Sequence, residues 1–109
     1  MVPAATLGWL LAVVMLFAGG LNLLGPAFVR DEFARFGFPP WTRLAVGGLE
    51  WVAALLLVLP GWRAIGAGLA ALVLLGVLAV LAREGAWMRL EYPGVLLVHA
   101  ALTALACTP

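Results

Sequence analysis

Long apolar runs with few charges are the feature that most limits how this chain can fold. A membrane-spanning helix needs about 20 apolar residues, because a helix rises about 1.5 Å per residue and the hydrocarbon core is about 30 Å thick. Four segments of the 109-residue chain approach that length, with predicted bounds of 4–24, 41–59, 65–82 and 92–107. The fourth is short for a full span. The pattern predicts an all-α polytopic membrane protein, a single domain built as a four-transmembrane-helix antiparallel bundle.

The composition argues against a water-soluble globule and against several functional classes. Hydrophobic residues make up 66% of the chain, charged residues 10%, and the mean hydropathy is +1.18. A small soluble domain needs more polar residues than this to cover its core. The net charge is only +1 and the sequence has no basic tract, so no nucleic-acid partner is expected. The single cysteine, Cys107, excludes an internal disulfide, a CxxC redox pair and a cysteine zinc site.

The connections between the spans differ in length and in predicted structure. Between spans one and two, Pro26 suits a first helical turn, apolar residues recur at i, i+4 and i+7 from Val29, and the Pro39-Pro40 pair prevents continuation. This pattern predicts a short amphipathic helix in the membrane interface over about residues 26–36, with a plain solvent loop as the alternative. Spans two and three are separated by a very short turn at Pro60-Gly61, so they should form a hairpin.

The distribution of arginine predicts the orientation in the membrane. Connections one and three carry Arg30, Arg35, Arg43, Arg83 and Arg89, whereas the opposite side carries Arg63. By the positive-inside rule, these two connections lie in the cytoplasm and both termini lie outside. The first segment is interpreted as a span and not as a signal peptide, because it lacks a basic n-region and its apolar run is long. The expected aromatic belts are Trp41, Trp87 and Tyr92 on the arginine-rich side, and Trp9 and Trp62 on the other.

Four polar or charged residues within or at the ends of the spans form the predicted ligand-binding site: Asn22, Glu50, Arg83 and His99. A polar side chain inside a membrane needs a partner, so each of them raises a functional question. Glu50 is the strongest candidate, about nine residues or roughly 13 Å into span two. Because successive spans alternate in direction, Asn22, Glu50 and His99 are expected in the same half of the membrane, with Arg83 closing span three on that side.

Each candidate also has a structural interpretation. Glu50 either binds a ligand or a proton, or bonds to neighbouring helices, and His99 either relays protons or is a hydrogen-bonded packing residue. No metal site is predicted, since one His, one Glu and a distant Cys107 give no recognisable ligand spacing, and Cys107 is expected to be inert. Small residues such as Gly47 and Gly66 are expected where helices approach closely.

Several short motifs follow one another in the first half of the chain. Span one closes with Gly19-Gly20-Leu21-Asn22 and Gly25, the loop gives Phe36-Gly37-Phe38-Pro39-Pro40-Trp41, and span two carries Gly47-Gly48-Leu49-Glu50 before Leu57-Val58-Leu59-Pro60. This order resembles the DoxX-like family of four-helix bacterial membrane proteins, over roughly residues 15–106. The chain departs from the family pattern at two positions, because the family often has Lys in place of Asn22 and a His in place of Arg83. Its polar layer therefore has a different arrangement of charge.

The resemblance implies a fold more firmly than a function. The family takes its name from a subunit associated with thiosulfate:quinone oxidoreduction. This implies a subunit of the bacterial inner membrane without activity of its own, which binds a quinone, a lipid or a membrane partner in a redox-associated complex, or forms a homo-oligomer. The alternative is a small proton-coupled transporter that acts as a dimer through Glu50. Small multidrug resistance exporters share the length, the four helices and one membrane carboxyl, but they carry their Glu in the first span. A third hypothesis, an oxidoreductase in its own right, has no support in the sequence. The chain has no cysteine pair, no haem-ligating His pair and no nucleotide-binding fingerprint.

Overall fold

Five helices form the regular structure of the computed structural model, which describes residues 3–85 and 91–107. They are α1 (Ala4–Leu24), α2 (Ala27–Arg35), α3 (Pro40–Val58), α4 (Arg63–Arg83) and α5 (Glu91–Ala106). By length and composition, α1, α3 and α4 can each cross a membrane, whereas the apolar part of α5, Pro93–Ala106, is shorter. The all-α prediction is confirmed over the described residues. The predictions for Trp87, Arg89 and the Tyr92 side chain concern parts of the chain that lie outside the described residues.

Proline and glycine set the ends of the helices around the first connection. Gly25 ends α1 in the left-handed conformation (φ 64°), and its backbone N–H donates to the Leu21 carbonyl at 2.9 Å. Pro26 precedes α2, and Pro40 opens α3 at a position where a missing N–H costs no helical hydrogen bond. The predicted helix in this connection is therefore present, as α2.

The four longer helices pack in a closed ring. α1 lies against α3, α3 against α4, α4 against α5, and α5 returns to α1, while α2 lies against α3. The core between them is aliphatic and includes Leu11, Met15, Leu57, Ala70 and Ala100. Buried alanines and glycines keep the helices close, as Gly66 shows: a Cβ atom there would lie 2.7 Å from the backbone nitrogen of Leu57.

The closest approach of α1 to α3 positions the polar residues of both helices. A Cβ on Gly19 would lie 2.9 Å from the carbonyl oxygen of Gly47, and a Cβ on Gly47 would lie 3.0 Å from the Gly19 carbonyl oxygen. Such contacts leave no room for a side chain between the two backbones. Asn22 and Glu50 each lie about one helical turn beyond these glycines, so this crossing brings their side chains within reach of each other.

Candidate functional site

A hydrogen-bonded amide and carboxyl pair is the centre of the candidate site. The Asn22 Nδ2 donates to Glu50 Oε1 at 2.5 Å, and only 6% of the Glu50 surface is exposed. Glu50 lies near the middle of α3, whereas Asn22 lies in the last turn of α1. Their contact places a carboxyl group inside the helix bundle with an amide donor as its partner.

The pair lines a cavity of about 1130 Å³ that reaches all five helices. Among the described residues, its polar lining consists of Asn22, Glu32, Thr42 and Glu50. All five phenylalanines of the chain also line it: Phe17, Phe28, Phe33, Phe36 and Phe38. Aliphatic side chains of α4 and α5 complete the wall, and the described lining residues include no Arg or His. A molecule with an apolar body and a polar end would match this lining.

Helix α2 contributes to the cavity through its apolar side. Phe28, Phe33 and Glu32 line the cavity from α2, and Val29 is buried. The ring of Phe33 lies 6.2 Å from the ring of Phe38, centroid to centroid, at an interplanar angle of 59°. This centroid distance lies within the range in which aromatic pairs attract each other. The apolar side of this amphipathic helix therefore forms one wall of the cavity.

Arg43 has a role beside the site that the sequence did not indicate. Its Nη1 donates to the Asn22 carbonyl and, at 3.2 Å, to the Leu23 carbonyl at the C-terminal end of α1. A guanidinium at this end of a helix satisfies carbonyls that have no helical partner and complements the helix dipole. Arg43 lies about 20 residues from these partners along the chain, and no local pattern in the sequence signals a contact of that kind.

The structure does not bring His99 to the cavity. Its Nε2 lies 3.0 Å from the carbonyl oxygen of Leu7, near the start of α1, and His99 is not among the lining residues. Leu7 and Asn22 are 15 residues apart on the same helix, or about 22 Å along its axis. The sequence-based expectation that His99 lies in the same half of the membrane as Asn22 took Gly94 as the start of the span, which places His99 about 7 Å along it. The described helix begins at Glu91, so His99 lies about 12 Å along it, only about 5 Å deeper than expected. The axial offset of α5 against α1 accounts for the rest of the separation.

Arg83 lies outside the cavity, at its rim. Its Nη2 pairs with Glu84 Oε1 at 3.1 Å, and 59% of its side-chain surface is exposed. Its guanidinium carbon lies 5.7 Å from the ring centroid of Phe38, which does line the cavity. Of the four predicted site residues, Asn22 and Glu50 therefore lie together, Arg83 reaches the rim through Phe38, and His99 is elsewhere.

Comparison with known protein families agrees with the resemblance in the sequence. Residues 6–108 match the model of the DoxX-like family, which is nearly the whole chain. Comparisons with curated proteins and with solved structures give no match. The three long apolar helices of the described residues are consistent with a membrane protein. Because the family match covers nearly the whole chain, the protein belongs to the DoxX-like family.

Proposed function

We propose that this protein is a membrane subunit without catalytic activity of its own, which binds a lipophilic small molecule of the quinone or lipid class in a redox-associated complex. The observation that carries this proposal is the Asn22–Glu50 pair, which lines a cavity whose wall is otherwise mostly aromatic and aliphatic. The apolar part of the molecule would lie against the phenylalanines. Its polar end would bond to the carboxyl and amide groups.

The size and chemistry of the cavity support binding. Sites for drug-sized molecules span about 300–1,000 Å³ and combine an apolar wall with a few polar groups that orient the ligand. The volume of about 1130 Å³ lies just above this range, and the four polar residues in an otherwise apolar described lining fit the rest of the description. A carboxyl group inside a membrane helix is costly, and such residues commonly have a functional role.

In this proposal, α1, α3, α4 and α5 all cross the bacterial inner membrane as an antiparallel bundle, and α2 lies in the interface. The contacts between α1 and α3 support opposite directions for these two helices. Asn22, late in α1, bonds to Glu50, while Gly8, early in α1, lies beside the Leu57 carbonyl late in α3. Large apolar side chains on the outer faces, such as Val13, Ile65 and Leu105, are well exposed and suit contact with lipid.

Native mass spectrometry of the mildly extracted protein, followed by organic extraction of any bound molecule, tests this function. We expect the wild-type protein to carry one lipophilic molecule, and Glu50→Gln to retain about tenfold less of it. A buried polar group of the ligand that loses its carboxyl partner costs about 1–3 kcal/mol, and each 1.4 kcal/mol is tenfold in affinity. The matched control is Glu84→Gln, the same substitution at an exposed carboxyl outside the cavity, which should retain the molecule.

Two outcomes would contradict the proposal. In the first, Glu50→Gln carries as much of the molecule as the wild type and the control. In the second, the wild-type protein is empty and runs as a tight dimer. That result would favour the proton-coupled transporter, and measurements of proton-coupled flux in liposomes would then replace the binding assay.

A further inference from the structure

The described lining of the cavity contains acidic and no basic side chains, although Arg35 and Arg83 contact the rings of Phe36 and Phe38 without lining the cavity themselves. The acidic groups are the carboxyls of Glu50 and Glu32, from two different helices. Arg43, the nearest arginine before Glu50 in α3, donates to carbonyls of α1. Within the described part of the chain, the hydrogen-bond partner of the Glu50 carboxyl is the neutral Asn22 amide. No basic side chain among these residues forms an ion pair with Glu50.

The arginines at the two ends of α4 are engaged as well. Arg83 pairs with Glu84, and Arg63 Nε donates to the Leu57 carbonyl at 2.8 Å, at the C-terminal end of α3. A Cβ on Gly8 would lie 2.8 Å from Arg63 Cδ, so α1 packs directly on this side chain. Neither arginine is among the residues that line the cavity.

A carboxylate in apolar surroundings gains most from a partner of opposite charge. Removal of an ionised carboxylate from water is costly unless a cation and hydrogen bonds compensate for the lost hydration. The faces of aromatic rings also attract cations, by about 0.5–1 kcal/mol at exposed sites and about 2 or more where water is excluded. Arg35 and Arg83 already contact Phe36 and Phe38, but Phe17, Phe28 and Phe33 also line the cavity. Together with the Glu50 carboxyl, these rings offer both kinds of attraction.

We infer that the ligand is an amphiphilic organic cation, with its ammonium or similar charged group at Glu50 and its apolar body against the phenylalanines. This inference rests on the proposed function and narrows it to one class of ligand. A cationic ligand and a neutral quinone require different protonation states of the Glu50 carboxyl. A cation needs the ionised carboxylate, whereas the carbonyl of a quinone would accept a hydrogen bond from the protonated group.

Binding of three probes to the protein in phosphatidylcholine nanodiscs tests the inference, with empty nanodiscs as the blank. The probes are tetraphenylphosphonium, the tetraphenylborate anion of closely similar size and shape, and a neutral decyl-substituted benzoquinone. We expect tetraphenylphosphonium to bind saturably and at least about tenfold more tightly than either of the other two. A difference of this size corresponds to about 1.4 kcal/mol or more.

Three variants locate the binding site. Glu50→Gln should weaken tetraphenylphosphonium binding by about tenfold or more, whereas Glu84→Gln should leave it unchanged. Phe28→Leu removes one aromatic wall residue at a position that is 64% exposed, so it should fold even if Glu50→Gln does not. We expect Phe28→Leu to weaken binding of the cation by about two- to fivefold, because about 0.5–1 kcal/mol of cation–π attraction is lost. Binding of the neutral probe should remain nearly unchanged.

The outcomes separate this inference from the proposed function. If the quinone binds in a Glu50-dependent manner and the cation does not, the cavity takes neutral ligands and only the cationic inference fails. If none of the probes binds and the extracted protein is empty, the proposed function fails as well. Equal binding of the cation and the anion, or cation binding that survives both Glu50→Gln and Phe28→Leu, would also overturn the inference.

Discussion

Arg43 and Asn22 depend on each other although one lies in α3 and the other in α1. The guanidinium bonds to the Asn22 carbonyl, and the Asn22 side chain in turn bonds to Glu50. Gly25 makes this possible, because the Arg43 guanidinium occupies the space that a Cβ on residue 25 would need. A single arginine thus holds the last turn of α1 in the position from which Asn22 reaches the carboxyl group.

We therefore expect Arg43→Gln to destabilise the protein by about 1–3 kcal/mol, since the charged hydrogen bonds to two helix-terminal carbonyls are lost. The free energy of unfolding in mixed micelles measures this change. Arg83→Gln, at an exposed arginine that bonds to its neighbour in sequence, is the control and should change it little. A variant at Arg43 that is as stable as the wild type would show that the cap does not contribute to stability.

At the scale of the helices, the approach of α1 to α3 depends on two glycines. Trp51 reinforces it, because its indole Nε1 donates to the Leu16 carbonyl of α1 at 2.9 Å. The predicted role of Gly47 as a contact residue agrees with this geometry. At Gly48, the next residue, a Cβ would meet no atom of another described helix within 4 Å, so the two adjacent glycines have different roles.

This difference gives a matched pair of variants. Gly47→Ala should lower the free energy of unfolding by about 1–3 kcal/mol, because the added methyl group would lie 2.9 Å from Leu23 Cγ and 3.0 Å from the Gly19 carbonyl oxygen. Gly48→Ala should be neutral or stabilising, since alanine favours the helix by up to about 1 kcal/mol. Unfolding in mixed micelles compares the two. Equal effects at both positions would mean that the helices do not meet at Gly47.

At the scale of the whole molecule, the ends of the helices at which the arginines lie predict the orientation in the membrane. Arg30 and Arg35 lie on α2, Arg43 caps the end of α1 beside it, and Arg83 closes α4. Arg63 begins α4 at its other end. The positive-inside rule then predicts that α2 is cytoplasmic and that Cys107, just after α5, lies on the outer side.

Cys107 is the only cysteine and serves as a native reporter of this topology. In spheroplasts, a membrane-impermeant maleimide should label Cys107 without permeabilisation. In a Cys107→Ser, Arg35→Cys protein, labelling should require permeabilisation, because Arg35 lies in α2. The reverse pattern would invert the topology, and the same accessibility at both positions would contradict an odd number of membrane crossings between them.

The sequence by itself determined the helices of this protein, whereas the tertiary structure decided which polar residues meet. Helix bounds depend on local features that can be read directly from the chain: α1 ends at Gly25, Pro26 precedes α2, and Pro40 begins α3. The partners of Glu50, His99 and Arg43 depend on the rotation and axial offset of each helix. Helices such as α4 are apolar on all sides, so no periodic pattern marks their inner face. The contacts of small residues such as Gly19 and Gly47 set these offsets, and those contacts exist only after the helices have packed.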